Sequence, residues 1–215
     1  MQGKIFEGDY KTRCKNIDSL LCVGDTFDML KREIRLGDRH AVFYMIDGFL
    51  KGEVLEKIME FFLSLAPEDV PETYEDFLKK CTPYGDIVTV TTEQDFLHYV
   101  LSGLTGFVVE GYDEILVIDL RDYPSRSVEE PDKDKVLRGS RDGFVEAIMP
   151  NIALIRRRIR DVDLKFEIYS IGSSSRTDIS VVYMKDRVNQ KALSIIQKRL
   201  KKISVDSLTM NQESL

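Results

Sequence analysis

The chain has 215 residues, a formal net charge of −6 and a sequence pI near 5.1. Its 43% hydrophobic and 32% charged residues exclude an intrinsically disordered protein, and the acidic balance argues against a nucleic-acid-binding surface. The longest apolar runs fall far short of the ~20 residues that span a bilayer, and the N-terminus lacks the apolar segment of a secretory signal. We therefore expect a water-soluble chain.

An α/β pattern fills residues 16–122, after a polar stretch at 1–15 that predicts a flexible arm. Apolar runs on both sides of Gly37-Asp38 favour a β-hairpin, and Thr92 is placed to cap a helix. The predicted elements, in chain order, are a helix at 16–23, strands at 27–36 and 41–46, helices at 53–65 and 73–80, a strand at 87–91, a helix from 93 to 102, and strands at 105–110 and 114–120. We expect a first lobe with a sheet of about five strands that is covered by helices.

A highly charged segment, residues 123–142, follows this lobe and is interpreted as an interlobe linker. Pro124 and Pro131 favour an extended backbone, and the dense mixture of signs favours ion pairs of Arg126 or Arg138 with neighbouring acidic residues. One interpretation is a solvated loop whose ion pairs contribute about 0–1 kcal/mol each. The other is a polar hinge between lobes or a docking surface for another subunit.

From Gly143 onward, apolar residues recur every three to four positions and predict one long helix. Pro150 is expected to kink it, and Arg156 and its neighbouring arginines are expected on the face opposite the apolar stripe. At the predicted start, 138–143 combines two arginines with a helix N-terminus, which suits an anion. The segment is not a Walker loop, because no Gly-Lys-Ser/Thr follows. The anion pattern has low specificity, so a capped helix start whose arginines pair with local acidic residues is favoured over an anion site.

Residues 143–215 are predicted to form a second α/β lobe. After the long helix the pattern predicts a strand at 164–171, a turn at 172–175, a strand at 179–184, a helix at 189–203 and the beginning of a strand at 204–210. The polar cluster around 173–178 either faces the central stretch across an interlobe cleft or forms a plain hairpin turn.

Residues that support catalysis or metal binding are sparse. The two histidines, His40 and His98, lack ligand partners at useful spacing, and the three cysteines show neither paired spacing nor an activating motif. No Ser/His/Asp or Cys/His arrangement is present. The sequence therefore predicts no enzyme, no metal site and no cofactor, and the cysteine pattern fits a reducing compartment.

The long central run at 123–161, YPSRSVEEPDKDKVLRGSRDGFVEAIMPNIALIRRRIRD, is followed by SSRTD at 174–178. Together these segments resemble the N-terminal cytosolic region of the A-subunit family of bacterial spore germination receptors, the GerA family. The resemblance extends over residues 15–215, and its motif at 131–161 is long and specific. The final phrase, DSLTMNQESL at 206–215, indicates one branch of this family.

The resemblance implies a soluble domain of two α/β lobes that precedes the transmembrane helices of a membrane protein. Its members lie in the spore inner membrane, with this domain on the cytosolic side. They work as oligomers with other germination subunits in nutrient-triggered germination and ion release. On this interpretation the chain is an isolated domain that reaches the membrane through a C-terminal region it lacks.

Two functions follow from the resemblance. The first is subunit assembly and signal transmission, with other germination subunits and further copies of the chain as partners and no nucleic acid involved. The alternative is a sensor that binds a small-molecule germinant in the interlobe cleft. The residues predicted to form the interlobe interface or ligand site are Arg126, Arg138, Ser140, Arg141, Asp142, Ser174, Ser175, Arg176 and Asp178.

Overall fold

Two antiparallel sheets, one of five strands and one of two, organise the computed structural model of the chain. The structure describes residues 3–50, 52–81, 87–122 and 144–208. The part we call the first lobe contains, in chain order, α1 (Tyr10–Leu20), β1 (Met29–Leu36), β2 (Arg39–Ile46), α2 (Gly52–Ser64), α3 (Tyr74–Lys80), β3 (Ile87–Val90), α4 (Glu93–Leu101), β4 (Thr105–Val109) and β5 (Ile115–Ile118). The second lobe contains α5 (Ile148–Arg158), β6 (Leu164–Ile171), β7 (Thr177–Met184) and α6 (Gln190–Lys202). The predicted α/β fold class is confirmed, whereas the residue numbers of the domain boundaries stay predictions.

The larger sheet has the strand order β1-β2-β4-β5-β3, with antiparallel pairing throughout. Both hairpins expected from the sequence, β1–β2 and β4–β5, are confirmed. β2 lies inside the sheet, and its residues from Ala41 to Ile46 are buried because helices cover both faces. Alternate side chains of β2 therefore enter two different cores.

One core lies between the sheet and α1 with α4, and it includes Ile17, Tyr44 and Phe96. The other lies between the sheet and α2 with α3, and it is dominated by aromatic rings. Phe107 is at its centre, with ring centroids 4.3 Å from Phe43 and 5.1 Å from Phe62. The helical period of α2, which predicted Ile58 and Phe62 as inward-facing, is confirmed by their burial.

The structure corrects the expectation of a flexible arm at 1–15, for the described residues 3–15. α1 begins at Tyr10 because the Asp9 carboxylate caps it, accepting a hydrogen bond of 2.9 Å from Thr12 N. Ile5 is buried, and Arg13 donates from Nη1 to the Tyr112 carbonyl at 2.6 Å. These residues belong to the first lobe. Because most of their side chains are polar, the sequence did not reveal that α1 begins among them with an amphipathic turn.

α5 differs from the long kinked helix that the sequence predicts. It begins at Ile148, so Pro150 lies in the first turn, where the missing N–H costs no helical hydrogen bond, and no interior kink arises. Ala147 is the N-cap of α5 and has no capping side chain. The predicted cap at Ser140 or Asp142 lies outside the described residues. The start of the helix is held instead by Asn151, whose amide exchanges hydrogen bonds of 2.8 and 2.6 Å with the Val145 backbone.

The second lobe is a β-hairpin with a helix on each face. β6 pairs with β7 along eight residue pairs from Leu164↔Met184 to Ile171↔Thr177. Both strands are predicted from the sequence, but β7 begins at Thr177 rather than at the predicted 179. Leu164 and Phe166 face α5, whereas Glu167, on the opposite face, accepts hydrogen bonds from Gln197 of α6 at 2.9 and 2.8 Å. The predicted strand at 204–210 is wrong for its described part, 204–208, which is irregular.

Candidate functional site

The two lobes meet at a buried ion pair between Asp28, which immediately precedes β1, and Arg156 of α5. Arg156 Nε lies 2.6 Å from Asp28 Oδ2, and Nη2 lies 2.9 Å from Oδ1. The exposed fractions of the two side chains are 1% for Arg156 and 0% for Asp28. The contact is thus a bidentate, charge-assisted pair that is shielded from solvent.

Further hydrogen bonds surround this pair. Arg156 also donates to the Asp161 carbonyl at 2.7 Å and to the Leu164 carbonyl at 2.9 Å. Thr26 Oγ1 donates to Asp28 at 2.7 Å and accepts from Phe166 N at 3.1 Å. A buried charge pair is stable only when its remaining polar atoms find partners, and this one has them in both lobes. We call these residues the interlobe network: Thr26, Asp28, Arg156, Asp161, Leu164 and Phe166.

The backbone and an aromatic ring reinforce the same contact. Phe27 N donates to the Phe166 carbonyl at 3.0 Å, so residues 26 and 27 lie against β6 on the side away from β7. The Arg156 guanidinium carbon is 5.1 Å from the centroid of the Phe166 ring, a cation–π distance. The first lobe thereby fixes the position of β6.

An apolar contact accompanies the charged one, between α5 and the turn after β2. Ala153 has an exposed fraction of 0% and belongs to the core formed with α1 and α4. Gly48, at φ 81°, approaches so closely that an added Cβ would lie 3.1 Å from Ala153 Cβ. α5 therefore packs against both lobes.

We expect Gly48→Ala to lower the free energy of unfolding by about 1–3 kcal/mol, because it combines a strained positive φ with overpacking against Ala153. Gly24→Ala is the matched control. Gly24 has φ 86° and nothing within 4 Å of its added Cβ. The loss of stability in Gly24→Ala therefore reports the backbone strain alone. Urea denaturation of both variants measures the difference, and equal losses would contradict a tight contact between α5 and the first lobe.

At the rim of the junction the contacts are polar and more exposed. Arg160 Nη1 donates to Ser102 Oγ at 3.0 Å, which joins the end of α5 to the end of α4. Lys185 Nζ lies 3.1 Å from Asp25 Oδ2, and both side chains are 54% exposed. Exposed pairs contribute about 0–1 kcal/mol, so the rim orients the lobes more than it stabilises them.

The residues predicted as an interface or ligand site divide into two groups. Those from the charged segment lie outside the described residues: Arg126, Arg138, Ser140, Arg141 and Asp142. The others, Ser174, Ser175, Arg176 and Asp178, lie at or beside the β6–β7 turn. This turn is roughly 17 Å along β6 from Phe166, at ~3.3 Å per residue.

Within the second lobe, the Ser-rich turn contacts the segment that follows α6. Ser173 N donates to the Val205 carbonyl at 3.1 Å and Ser174 N to the Asp206 carbonyl at 3.0 Å. The hydroxyls of Ser174 and Ser173 also donate to the Asp206 carboxylate and lower its pKa. The hydrogen bonds of these serines described above are thus within their own lobe, and their roles as an interlobe interface or a germinant site stay predictions.

Sequence reasoning missed the centre of the junction, although a signal existed. Arg156 follows Ile148 and Ile152 at steps of four residues, so it continues their stripe on α5 rather than the opposite face. A single arginine on a buried stripe requires an acidic partner. That partner, Asp28, had no distinguishing pattern of its own in the sequence.

Comparison with known proteins identifies the family. The family model described as Bacillus/Clostridium GerA spore germination protein matches residues 17–215. The chain belongs to this family. The resemblance found in the central motif is thereby confirmed.

Several GerA-family relatives carry names that refer to germination or sporulation. Stage V sporulation protein AF of Bacillus subtilis is 34% identical over 90% of this chain and 39% of its own length, in agreement with the branch indicated by the final phrase. Spore germination protein KA of the same organism is 28% identical over 86% of the chain and 35% of its own length. The chain therefore spans about two fifths of the curated relatives it matches.

The fold has a counterpart among solved structures. The N-terminal domain of the A subunit of the Bacillus megaterium spore germinant receptor GerK3 matches with a TM-score of 0.66 at 21% identity. The match covers 92% of this chain and 73% of that domain. Among the described residues of this GerA-family chain, no helix has the length and hydropathy needed to cross a membrane.

Proposed function

We propose that the chain is a domain of a spore germination membrane protein, and that it acts in subunit assembly and signal transmission during nutrient-triggered germination and ion release. We place the domain on the cytosolic side of the spore inner membrane, with other germination subunits and further copies of itself as partners. Membership in the GerA family and the names of the relatives support this proposal. It includes no catalytic role.

The interlobe network is the observation that carries the signalling part. A signal crosses a domain only through an element whose arrangement both ends can bias. Here α5 contacts the first lobe through Arg156 and Ala153, and it contacts β6 through the same arginine and its own apolar face. A displacement of either lobe therefore alters the contacts of α5 with the other.

The rim offers a test that leaves the buried pair intact. In the full-length protein, we expect Arg160→Glu to slow nutrient-triggered germination or to reduce assembly with partner subunits, because it removes the hydrogen bond to Ser102 and reverses the charge at the junction. Arg160 is exposed, so the isolated domain should keep its circular dichroism spectrum and lose about 1 kcal/mol or less of stability.

Arg199→Glu is the matched control. Arg199 is exposed on α6, so this substitution makes the same change in charge away from the junction. Spores with either variant are compared for release of ions and for recovery of partner subunits with the tagged protein. If Arg160→Glu spores behave as Arg199→Glu spores do in both measurements, the junction does not transmit the signal.

A further inference from the structure

A buried lysine of the second lobe lacks a partner. Lys165, on β6, has an exposed fraction of 1%, and its Nζ makes no hydrogen bond within the described part of the chain. The interlobe network accounts for the neighbouring residues Leu164 and Phe166 but leaves this amine unused. Burial of an ammonium group without a counter-charge is costly. The buried Lys165 amine therefore calls for a ligand that supplies a negative charge.

Lys165 lines a cavity between the hairpin and the N-terminal end of α6. The cavity has a volume of about 240 Å³, and its other lining residues are Asp25, Tyr183, Lys185, Gln190 and Leu193. This volume is below the ~300–1,000 Å³ typical of pockets for drug-sized ligands, so the occupant is small. The cavity differs from the Ser-rich turn, which is at the other end of the hairpin.

The charges around the cavity define the occupant. Two lysines, Lys165 and Lys185, and one acidic residue, Asp25, line the cavity, and the Asp25 carboxylate already pairs with Lys185 at 3.1 Å. Among the lining side chains the balance is one positive charge, on the buried Lys165. Two further carboxylates are near but do not line the cavity: Asp163, which interacts with Lys185, and Glu167, which accepts hydrogen bonds from Tyr183 and Gln197. The Tyr183 hydroxyl donates its hydrogen to Glu167 at 2.7 Å, so it has no second hydrogen to donate to an occupant of the cavity. Leu193 forms an apolar part of the cavity wall.

We propose that this cavity binds a small monoanionic carboxylate, with Lys165 as its buried ion-pair partner and Lys185 and Gln190 at its entrance. A charge-assisted hydrogen bond from the ammonium to the carboxylate supplies the missing partner. The N-terminal end of α6 favours negative charge in the same place. A dianion is disfavoured, because Asp25 repels the second charge.

Acetate is the probe, with chloride as the ionic-strength control and with phosphate as the dianionic comparison, at about pH 8, where phosphate is mainly the dianion and lysines are ordinarily charged. Thermal unfolding and calorimetry of the chain are expected to show saturable binding of acetate with a Kd of about 1 mM, as suits so few atoms. The unfolding temperature should rise with acetate, since a ligand that binds only the folded state stabilises it. Phosphate should bind more weakly.

Lys165→Met keeps most of the length of the side chain and removes the charge, and Lys191→Met, on the exposed first turn of α6, is its control. Acetate affinity should fall about tenfold or more in the first variant and stay unchanged in the second. Without acetate, Lys165→Met should unfold at the same or a higher temperature than the parent chain, because an unpaired buried charge is gone. A structural ion pair of Lys165 would give the opposite result, a lower unfolding temperature, and would overturn the proposal.

Lys185→Met provides a second test, because its side chain is 54% exposed and its loss should not unfold the lobe. The net charge around the cavity then falls to zero, and acetate affinity should drop. Absence of saturable acetate binding to the parent chain, retention of binding in Lys165→Met, or tighter binding of phosphate than of acetate would each overturn the assignment.

Discussion

Arg156→Met is expected to lower the free energy of unfolding by about 3–5 kcal/mol, as is usual when one partner of a buried ion pair is removed. The variant leaves Asp28, with an exposed fraction of 0%, without its counter-ion. It also leaves the carbonyls of Asp161 and Leu164 without their guanidinium donor. Because folded domains are stable by only about 5–15 kcal/mol, the loss should be evident in a urea denaturation curve.

Two further variants show whether the loss belongs to the pair. Arg199→Met removes an exposed arginine from α6 and should change the stability by no more than about 0.5 kcal/mol. The double variant Asp28→Asn with Arg156→Met should lose less than the sum of the two single variants, since the buried charge is then absent. Additive losses, or a loss below about 1 kcal/mol for Arg156→Met alone, would contradict a central role for the interlobe network.

The junction also bears on how the lobes unfold. Ala153 of α5 is part of a core formed mainly by the first lobe, while Ile152, its neighbour in sequence, belongs to the core under β6. One helix thus contributes adjacent residues to two cores. We therefore expect the two lobes to unfold in one transition. A variant that weakens the junction should separate this transition into two.

The elements that the sequence predicted are those whose patterns are local. The alternation at 164–171 and the helical period of α2 each depend only on neighbours in the chain, and both were correct. Thr92 was identified as the cap of α4 from its position before the apolar run, and it accepts from Asp95 N at 3.1 Å. Local rules suffice where packing agrees with them.

The centre of the candidate site joins residues far apart in the chain, and a local pattern indicates only one of them. Asp28 and Arg156 are 128 positions apart; the four-residue spacing places Arg156 on the apolar stripe of α5, but nothing in the sequence marks Asp28 as its partner. Their burial is decided by how α5 packs against the first lobe, which is a tertiary effect. Lys165 is a similar case: the alternation of β6 predicted its strand but not that the side chain would be buried beside α6.

The aromatic core below α2 and α3 gives the second large expected effect. Phe107→Ala should lower the free energy of unfolding by about 3–5 kcal/mol, because the removed ring leaves both lost burial and a cavity. Phe107 has an exposed fraction of 1%, and its ring lies between strand β2 and helices α2 and α3, with centroids 4.3 Å from Phe43, 5.1 Å from Phe62 and 6.4 Å from Phe77. Rings packed so closely on three sides cannot collapse far into the space.

Phe144→Ala is the control for this variant, since the Phe144 side chain is 71% exposed and its removal should cost no more than about 0.5 kcal/mol. Phe107→Leu keeps most of the volume and should cost less than the alanine variant.

The effect of Phe107→Ala should also be separable from that of Arg156→Met, because Phe107 belongs to the core on the sheet face away from α1 and α4. Losses of the two variants should therefore add in the double variant to within about 0.5 kcal/mol. A clear departure from additivity in denaturant unfolding would mean that the aromatic core and the interlobe network are coupled through the sheet.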